Sequence, residues 1–153
     1  MKYSGKKIGG KYRIKRLKRE ERLFNIYNGQ NEQEENIVLI KIFKNVYSEN
    51  EHYRDIILNE IKIIKQIYNE NYFENIHEFG YDDDLNSIYV ISEYCENHLF
   101  EYIKSKRVFS NQEIVSNVDN ICDALLYLQN NIVQNIILLN NLKQENICIK
   151  NDK

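Results

Sequence analysis

The sequence predicts an α+β fold, in which strands come first and most of the helical residues follow. Short apolar runs separated by turn-prone stretches fill the first 43 residues, and a helical apolar period replaces them from Ser48 onward. Two further strand-like runs then precede two more helices. At 153 residues, the chain suits one domain or one and a half small lobes.

The strands are predicted from apolar runs that are bounded by turn residues. The stretch NGQNEQEEN separates the second run from the third, and the acidic turn DDDLN separates the fourth from the fifth. The five predicted strands are Tyr12 to Leu17, Leu23 to Asn28, Ile37 to Phe43, Ile76 to Tyr81 and Ser87 to Glu93.

The helices are predicted from apolar residues at helical spacing and from two capping boxes. Ser48 with Glu51 is predicted to cap the first helix, whose apolar face carries Ile57, Ile61, Ile64 and Tyr68. A short helix is predicted near Asn97. A long helix from Ser110 to Asn130 is predicted to begin with the box Ser110 and Glu113, and its apolar face is Ile114, Val118, Ile121, Leu125 and Leu128.

Composition and charge exclude several classes of function. The three cysteines are far apart without a CxxC pair and the three histidines are scattered, so neither a zinc site nor a disulfide framework is expected. The net charge of -2 argues against a nucleic-acid partner, and the basic residues 2 to 19 fit a solvated strand face better than a polyanion site. No apolar run suits a membrane span or signal peptide, so cytosol or nucleus is the expected compartment.

The order of elements, with its particular residues, resembles the amino-terminal half of a protein kinase. The opening IGGKYRI is similar to the Gly-Gly-Lys-Tyr/Phe strand of the casein kinase I family, and the resemblance runs over residues 8 to 153. It implies an amino-terminal lobe at 8–96, with a five-stranded antiparallel sheet and one helix. Residues 97–153 would then begin the carboxy-terminal lobe. ATP and Mg²⁺ are the cofactors that this family implies.

The resemblance also assigns residues to the nucleotide site. Lys41 in VLIK matches the lysine that reaches the ATP phosphates, and Glu60 matches the helix carboxylate that holds it. Ser92 matches the small residue behind the nucleotide, and Glu93 to Cys95 match the hinge, where backbone groups recognise adenine. The alternative is an exposed strand lysine, an exposed helix glutamate and an ordinary buried strand end.

Departures from the kinase pattern weaken this site. Arg19, Glu21 and Phe24 stand at the three expected glycine positions, where bulk and charge keep the backbone from phosphate. Glu20 and Glu21 are expected to repel phosphate, and Leu39 replaces the small alanine that usually roofs the adenine pocket. ATP binding is therefore expected to be weak or absent.

The stretch NNLKQEN resembles a degenerate catalytic loop. Asn146 matches the metal-binding asparagine and Lys143 matches the lysine that approaches the transferred phosphate, but Asn141 stands at the position of the catalytic aspartate. An amide cannot act as a general base at neutral pH, and such a loss costs about 10² to 10⁴ in rate. Leu139 and Asn140 replace the usual His and Arg. A second alignment, with Gln134 at the histidine position and Ile136 at the aspartate position, restores no acid.

Three hypotheses follow, because the chain also ends before an Asp-Phe-Gly motif. The first is a truncated, inactive pseudokinase that acts as a binding or regulatory module. The second is an active Ser/Thr kinase from an incomplete gene model, and the third is an unrelated α+β interaction domain. A protein partner is expected to cover the apolar face of the helix from Ser110 to Asn130. Neither a nucleic acid nor a membrane is expected as a partner.

Overall fold

The computed structural model describes residues 3–69, 71–105, 108–131 and 142–149. The chain divides into two compact units. Unit 1 comprises Met1–Lys65 and Asn75–Tyr94, and unit 2 comprises Gln66–Glu74 and Cys95–Lys153.

Unit 1 is built on a six-stranded sheet in which every pair of neighbours is antiparallel. The strand order is β1-β2-β3-β4-β6-β5. The strands are β1 Lys7–Ile8, β2 Tyr12–Glu20, β3 Phe24–Asn31, β4 Ile37–Phe43, β5 Ile76–Asp82 and β6 Ser87–Glu93. The predicted α+β class and the five predicted strands are confirmed, although β2, β3 and β5 extend beyond their predicted ends.

The predicted number of strands is wrong by one, because β1 adds a sixth. This strand has two residues, which is too short to show an alternating pattern. Gly9 and Gly10, with φ of 56° and 73°, form the turn that folds β1 back on β2. Glycine adopts these positive angles without a steric penalty, so the Gly-Gly pair was the available sign of a hairpin.

The sheet has two distinct faces because side chains alternate along each strand. One face carries the hydrophobic core of unit 1. Its members on the strands are Ile8, Tyr12, Ile14, Tyr27, Val38, Ile40, Ile42, Tyr89 and Ile91. The intervening residues of β4, among them Leu39 and Lys41, lie on the opposite face, which we call the lysine face.

Two helices follow β4 in unit 1. They are α1 Asn45–Ser48 and α2 Glu51–Gln66. From α2, the Arg54 guanidinium lies 4.5 Å from the centre of the Tyr81 ring, and the Lys65 ammonium lies 6.0 Å from that of Phe79. Phe79 and Tyr81 are paired with Val90 and Ile88 of β6, which places these rings on the lysine face. Helix α2 therefore lies on the same face of the sheet as Lys41.

The predicted capping box of Ser48 and Glu51 is wrong. Asn50 begins α2, because its Oδ1 accepts a hydrogen bond from the Tyr53 N–H at 3.2 Å. Ser48 is instead fully buried at the end of α1, where its Oγ accepts the Ile88 N–H of β6 at 3.1 Å. The sequence contains the Ser-x-x-Glu pattern of a capping box, but the serine hydroxyl takes part in a tertiary hydrogen bond and does not cap the helix.

Unit 2 contains the remaining helices, α3 Leu99–Lys104 and α4 Asn111–Asn131, and a 3₁₀ turn at Gln144–Asn146. The predicted short and long helices are confirmed. So is the second capping box, since the Glu113 N–H donates to Ser110 Oγ at 3.2 Å and the Ser110 N–H donates to Glu113 Oε2 at 2.8 Å. Among the helices described, none is long and apolar enough to cross a membrane.

The predicted apolar face of helix α4 is only partly covered. Ile121 and Leu128 are half-buried, and the nearby Tyr127 ring packs 5.6 Å from Tyr72 of the same unit. Val118 and Leu125 are exposed, with 51% and 45% of their surface open to solvent.

Candidate functional site

The lysine face of unit 1 brings several predicted site residues together. Lys41 of β4 is paired with Ile26 of β3 and Val90 of β6. Two residues earlier on the same strand, Leu39 is paired with Ser92 of β6. Directly paired residues of antiparallel strands point to the same face, so Lys41, Leu39 and Ser92 share this face.

Glu60 lies on α2, the helix that packs on the lysine face, and its side chain is half-buried. Lys41 is also half-buried, which suits a cation placed between a sheet and a helix. The structure thus places the two residues on one side of the same sheet. That the Glu60 carboxylate holds the Lys41 ammonium stays a prediction.

The turn between β2 and β3, where the kinase pattern places a glycine-rich loop, is tightly closed. The Glu21 N–H donates to the Phe24 carbonyl at 2.9 Å, so only a tight turn separates the strands. Arg19 Nε lies 2.6 Å from Glu21 Oε1, and these side chains are only 21% and 14% exposed. Their charges offset one another, so the expected repulsion of phosphate by Glu21 is weakened by its ion pair.

Phe24, at the third glycine position, also occupies space. Its ring lies 5.3 Å from the ring of Phe43, the residue paired with it on β4. An aromatic pair of this kind stabilises the hairpin by packing. Side chains therefore fill the part of the lysine face that backbone amides of a glycine loop would otherwise border.

Leu39 lies between two buried polar groups on the same face. It is paired with Asn28 of β3 on one side and Ser92 of β6 on the other, and it is only 2% exposed. Asn28 Oδ1 and Ser92 Oγ are buried without a hydrogen-bond partner among the described residues. Buried polar atoms without partners are rare and are satisfied by a ligand or water in many proteins. Asn28 was not predicted as a site residue from the sequence. Alternation along β3 places it on the same face as Ile26, which is paired with Lys41, and this was the available signal.

The predicted hinge begins at the end of β6. The Glu93 N–H donates to the Asn75 carbonyl at 2.8 Å, and Glu93 is half-buried. The next residue, Tyr94, has the Lys18 ammonium 5.3 Å from its ring centre. Both contacts fix the strand end within unit 1, whereas Cys95 already belongs to unit 2.

The catalytic-loop residues of unit 2 are described in part. The 3₁₀ turn is closed by a hydrogen bond of 2.8 Å from the Asn146 N–H to the Lys143 carbonyl. Asn146 is exposed and Lys143 is half-buried. Asn141 lies outside the described residues, as do Leu139, Asn140, Gln134 and Ile136, so their assigned positions stay predictions.

No disulfide framework was expected from the sequence, but the structure contains one disulfide bond. Cys95 and Cys148 are joined in unit 2, with an S–S distance of 2.06 Å and a Cα–Cα distance of 6.0 Å. They are 53 residues apart in sequence, and only the fold brings them together. The remaining cysteine, Cys122, is free and exposed on α4.

The residues present fit a nucleotide with magnesium poorly. The lysine face, where the kinase pattern places adenine and the phosphates, is occupied by Leu39, Phe24 and the Arg19–Glu21 pair. Magnesium requires near-octahedral oxygen ligands, usually with carboxylates among them. Within the part of the chain that the structure describes, Asn146 is the one magnesium ligand that the kinase motif assigns, and its side chain supplies a single neutral oxygen.

Comparison with known proteins gives one family. The model of the protein kinase domain matches residues 24–153, which is most of the chain and begins at β3. A comparison with curated proteins finds no match. The matched region includes every residue of the predicted nucleotide site and catalytic loop except Arg19 and the glutamates at 20 and 21.

Proposed function

This chain belongs to the protein kinase family, and we propose that it is a casein kinase I-like pseudokinase with a regulatory role. In this proposal the chain binds ATP weakly or not at all and transfers no phosphate. The third hypothesis, an unrelated α+β interaction domain, is wrong because the family match covers most of the chain.

The observation that carries the proposal is the closed turn between β2 and β3. Kinases cover the ATP phosphates with a glycine-rich loop whose backbone amides approach closely. Here the hydrogen bond from Glu21 to Phe24 closes the turn between the strands, and the Arg19–Glu21 ion pair of 2.6 Å lies beside it. In this proposal, side chains at these positions keep a phosphate away from the backbone amides of the turn.

A second line of support comes from the sequence of the catalytic loop. Asn141 occupies the position of the catalytic base, and an amide has no basic group that could take a proton from a substrate hydroxyl. Even a nucleotide bound on the lysine face would therefore lack the group that orients and deprotonates the acceptor.

The alternative, an active Ser/Thr kinase, is favoured by one arrangement in unit 1. Lys41 and Ser92 lie on one face of the sheet, and α2 with Glu60 packs on that face. The two candidates differ in phosphate transfer. Incubation of the chain with radiolabelled MgATP and casein is expected to label neither the chain nor casein, and labelling above that of a Lys41→Met control would favour the active kinase.

Nucleotide binding is tested by a thermal shift of the chain with MgATP. A ligand at 100 times its Kd stabilises the folded state by about 2.7 kcal/mol. For a protein of this size, each kcal/mol raises Tm by about 2 to 4 °C. We expect no rise at millimolar MgATP. A rise that Lys41→Met abolishes would overturn the proposal of a closed site, whereas an equal rise in both proteins would indicate binding elsewhere.

The regulatory role is proposed to use α4. This helix exposes apolar residues together with Glu113, Asp119 and Asp123, and it contains no basic residue. Charge complementarity therefore favours a protein partner whose surface carries an apolar stripe flanked by lysine or arginine. Substitution of the exposed Val118 or Leu125 by aspartate tests this surface.

A further inference from the structure

Three side chains that can each supply one ligand atom to a metal ion meet in unit 2. They are Glu74, Cys95 and Cys148, and their ligand atoms all lie within 4.8 Å of one another. Cys95 is 3% exposed and the other two residues are half-buried. The three come from separate segments of the chain, so the fold creates the cluster.

The backbone holds the two sulfur atoms together independently of the bond between them. His98 and Cys148 form an antiparallel bridge. On either side of it, the Leu99 N–H donates to the Ile147 carbonyl at 2.8 Å and the Ile149 N–H donates to the Asn97 carbonyl at 2.9 Å. Reduction of the disulfide would leave these hydrogen bonds intact, so we expect the two thiols to remain adjacent.

The disulfide does not account for the carboxylate of Glu74, which lies beside the two sulfur atoms. Its carboxylate makes no hydrogen bond or ion pair with another residue of the described chain. A half-buried carboxylate loses hydration and is stabilised by a cation close to it. Two neighbouring thiolates would repel the carboxylate, unless a positive ion lay between the three groups.

We propose that Glu74, Cys95 and Cys148 bind one Zn²⁺ when both cysteines are reduced. Zinc is bound tetrahedrally by thiolate sulfur at about 2.3 Å and carboxylate oxygen at about 2.0 to 2.2 Å, and water fills the fourth position. Thiolates with a carboxylate suit zinc better than the hard ions magnesium and calcium. The Cα–Cα distance of 6.0 Å between the cysteines allows both sulfurs to reach one ion.

The disulfide and the zinc site are alternative states of the same residues. A dithiol reductant gives two electrons and two protons to the Cys95–Cys148 bond and becomes a disulfide itself. Zinc binding then releases the two thiol protons to solvent. In the cytosol or nucleus, the compartments that the sequence predicts, thiols are kept reduced, and the zinc state would be the resident one.

The proposal is tested by zinc binding to the full chain, in a Cys122→Ser background that removes the exposed free thiol. The chain is reduced with a phosphine under nitrogen and then competed for Zn²⁺ against a chromophoric chelator. Co²⁺ in place of Zn²⁺ reports thiolate ligands by a sulfur-to-metal charge-transfer band. We expect one equivalent of zinc and this band in the reduced chain, and neither in the oxidised chain.

Single substitutions assign the ligands. Cys95→Ser and Cys148→Ser are expected to weaken zinc binding by at least about 100-fold and to reduce the cobalt band, while Glu74→Gln weakens binding by about 10-fold and keeps the band. Glu145→Gln, which alters another half-buried carboxylate of unit 2, is the matched control and should have no effect. If Cys95→Ser does not fold, the other two variants still decide.

Two results would overturn the proposal. One is a reduced chain that binds no zinc although its thiols are titrated as free. The other is zinc binding that survives unchanged in Cys148→Ser and Glu74→Gln. Neither result depends on nucleotide binding, so the zinc site and the pseudokinase proposal stand or fall separately.

Discussion

Leu39 and Ser92 face each other across β4 and β6, on the sheet face that carries Lys41. Leu39 is also paired with Asn28, and the polar atoms on both sides of it, Asn28 Oδ1 and Ser92 Oγ, lack hydrogen-bond partners among the described residues. One buried leucine thus separates two polar atoms that a bound base or a water molecule would satisfy.

Shortening this leucine is expected to open the site. Leu39→Ala removes side-chain volume between Asn28 and Ser92. We expect adenosine at millimolar concentration to raise the Tm of this variant but not that of the wild type, and MgATP to raise it less, because the closed turn between β2 and β3 still limits access of the phosphates. The substitution itself should cost about 2 to 5 kcal/mol of stability, so each variant is compared with and without ligand.

The double variant Leu39→Ala, Lys41→Met separates two contributions to this binding. Adenosine should still bind, because it has no phosphate for the lysine to contact, whereas the MgATP shift should be smaller than in the single variant. Leu39→Met, which keeps the volume filled, is the matched control and should show no shift. Absence of any shift in Leu39→Ala would mean that Leu39 is not what blocks the site.

Ser48 is predicted to stabilise unit 1 through a single tertiary hydrogen bond. In Ser48→Ala the buried Ile88 N–H loses the Oγ acceptor that lies 3.1 Å away. An unsatisfied buried donor costs about 1 to 3 kcal/mol, which urea denaturation can resolve. Ser116→Ala, at an exposed position on α4, should change stability by less than about 0.5 kcal/mol. Equal effects of the two substitutions would contradict this role of Ser48.

The sequence predicted elements where the physical signal is local. The box of Ser110 and Glu113 formed, since both partners lie within one turn of the helix they cap. The predicted capping box of Ser48 and Glu51 did not form, because the Ser48 hydroxyl accepts a hydrogen bond from Ile88 of β6, 40 residues away. The Cys95–Cys148 disulfide was not foreseen for the same reason, because a contact between residues 53 apart leaves no periodic pattern in the sequence.

Only the site residues that lie on β-strands could be predicted from the sequence to share one face. Alternation along β4 places Leu39 and Lys41 on one face, and pairing with β6 adds Ser92. The ion pair between Arg19 and Glu21 could not be foreseen, because it depends on how the turn between β2 and β3 closes. The sequence shows which residues stand at the glycine positions, but only the structure shows that the charges of Arg19 and Glu21 offset one another.

Glu32 is predicted to give unit 1 a pH-dependent stability. The Lys7 ammonium and then the Arg13 guanidinium, both bound to its carboxylate, hold the pKa of Glu32 below its ordinary value of 4.5. A lowered pKa means that the folded state favours the ionised form. The stabilisation is therefore complete above the ordinary pKa, and it is lost as the pH falls through the lower pKa of the folded state.

Thermal unfolding of Glu32→Gln checks this prediction. Its Tm should lie below that of the wild type at pH 7, and the gap should close as the pH falls well below 4.5. The gap should also shrink with added salt, because the carboxylate is exposed. Glu35→Gln, three residues away and exposed, is the matched control and should follow the wild type. A gap that is independent of pH would assign the effect of Glu32 to packing.

The exposed part of the apolar face of α4 is predicted to limit the solubility of the chain in the absence of a partner. Val118 and Leu125 are 51% and 45% exposed, and an apolar patch of this kind favours a partner or aggregation. We expect Val118→Asp and Leu125→Asp to raise the concentration at which light scattering detects association. Asn120→Asp adds the same charge on the same helix without removing apolar surface, so it should help much less. If the wild type is a monodisperse monomer at high concentration, or if Asn120→Asp helps equally, the apolar side of α4 is not the cause.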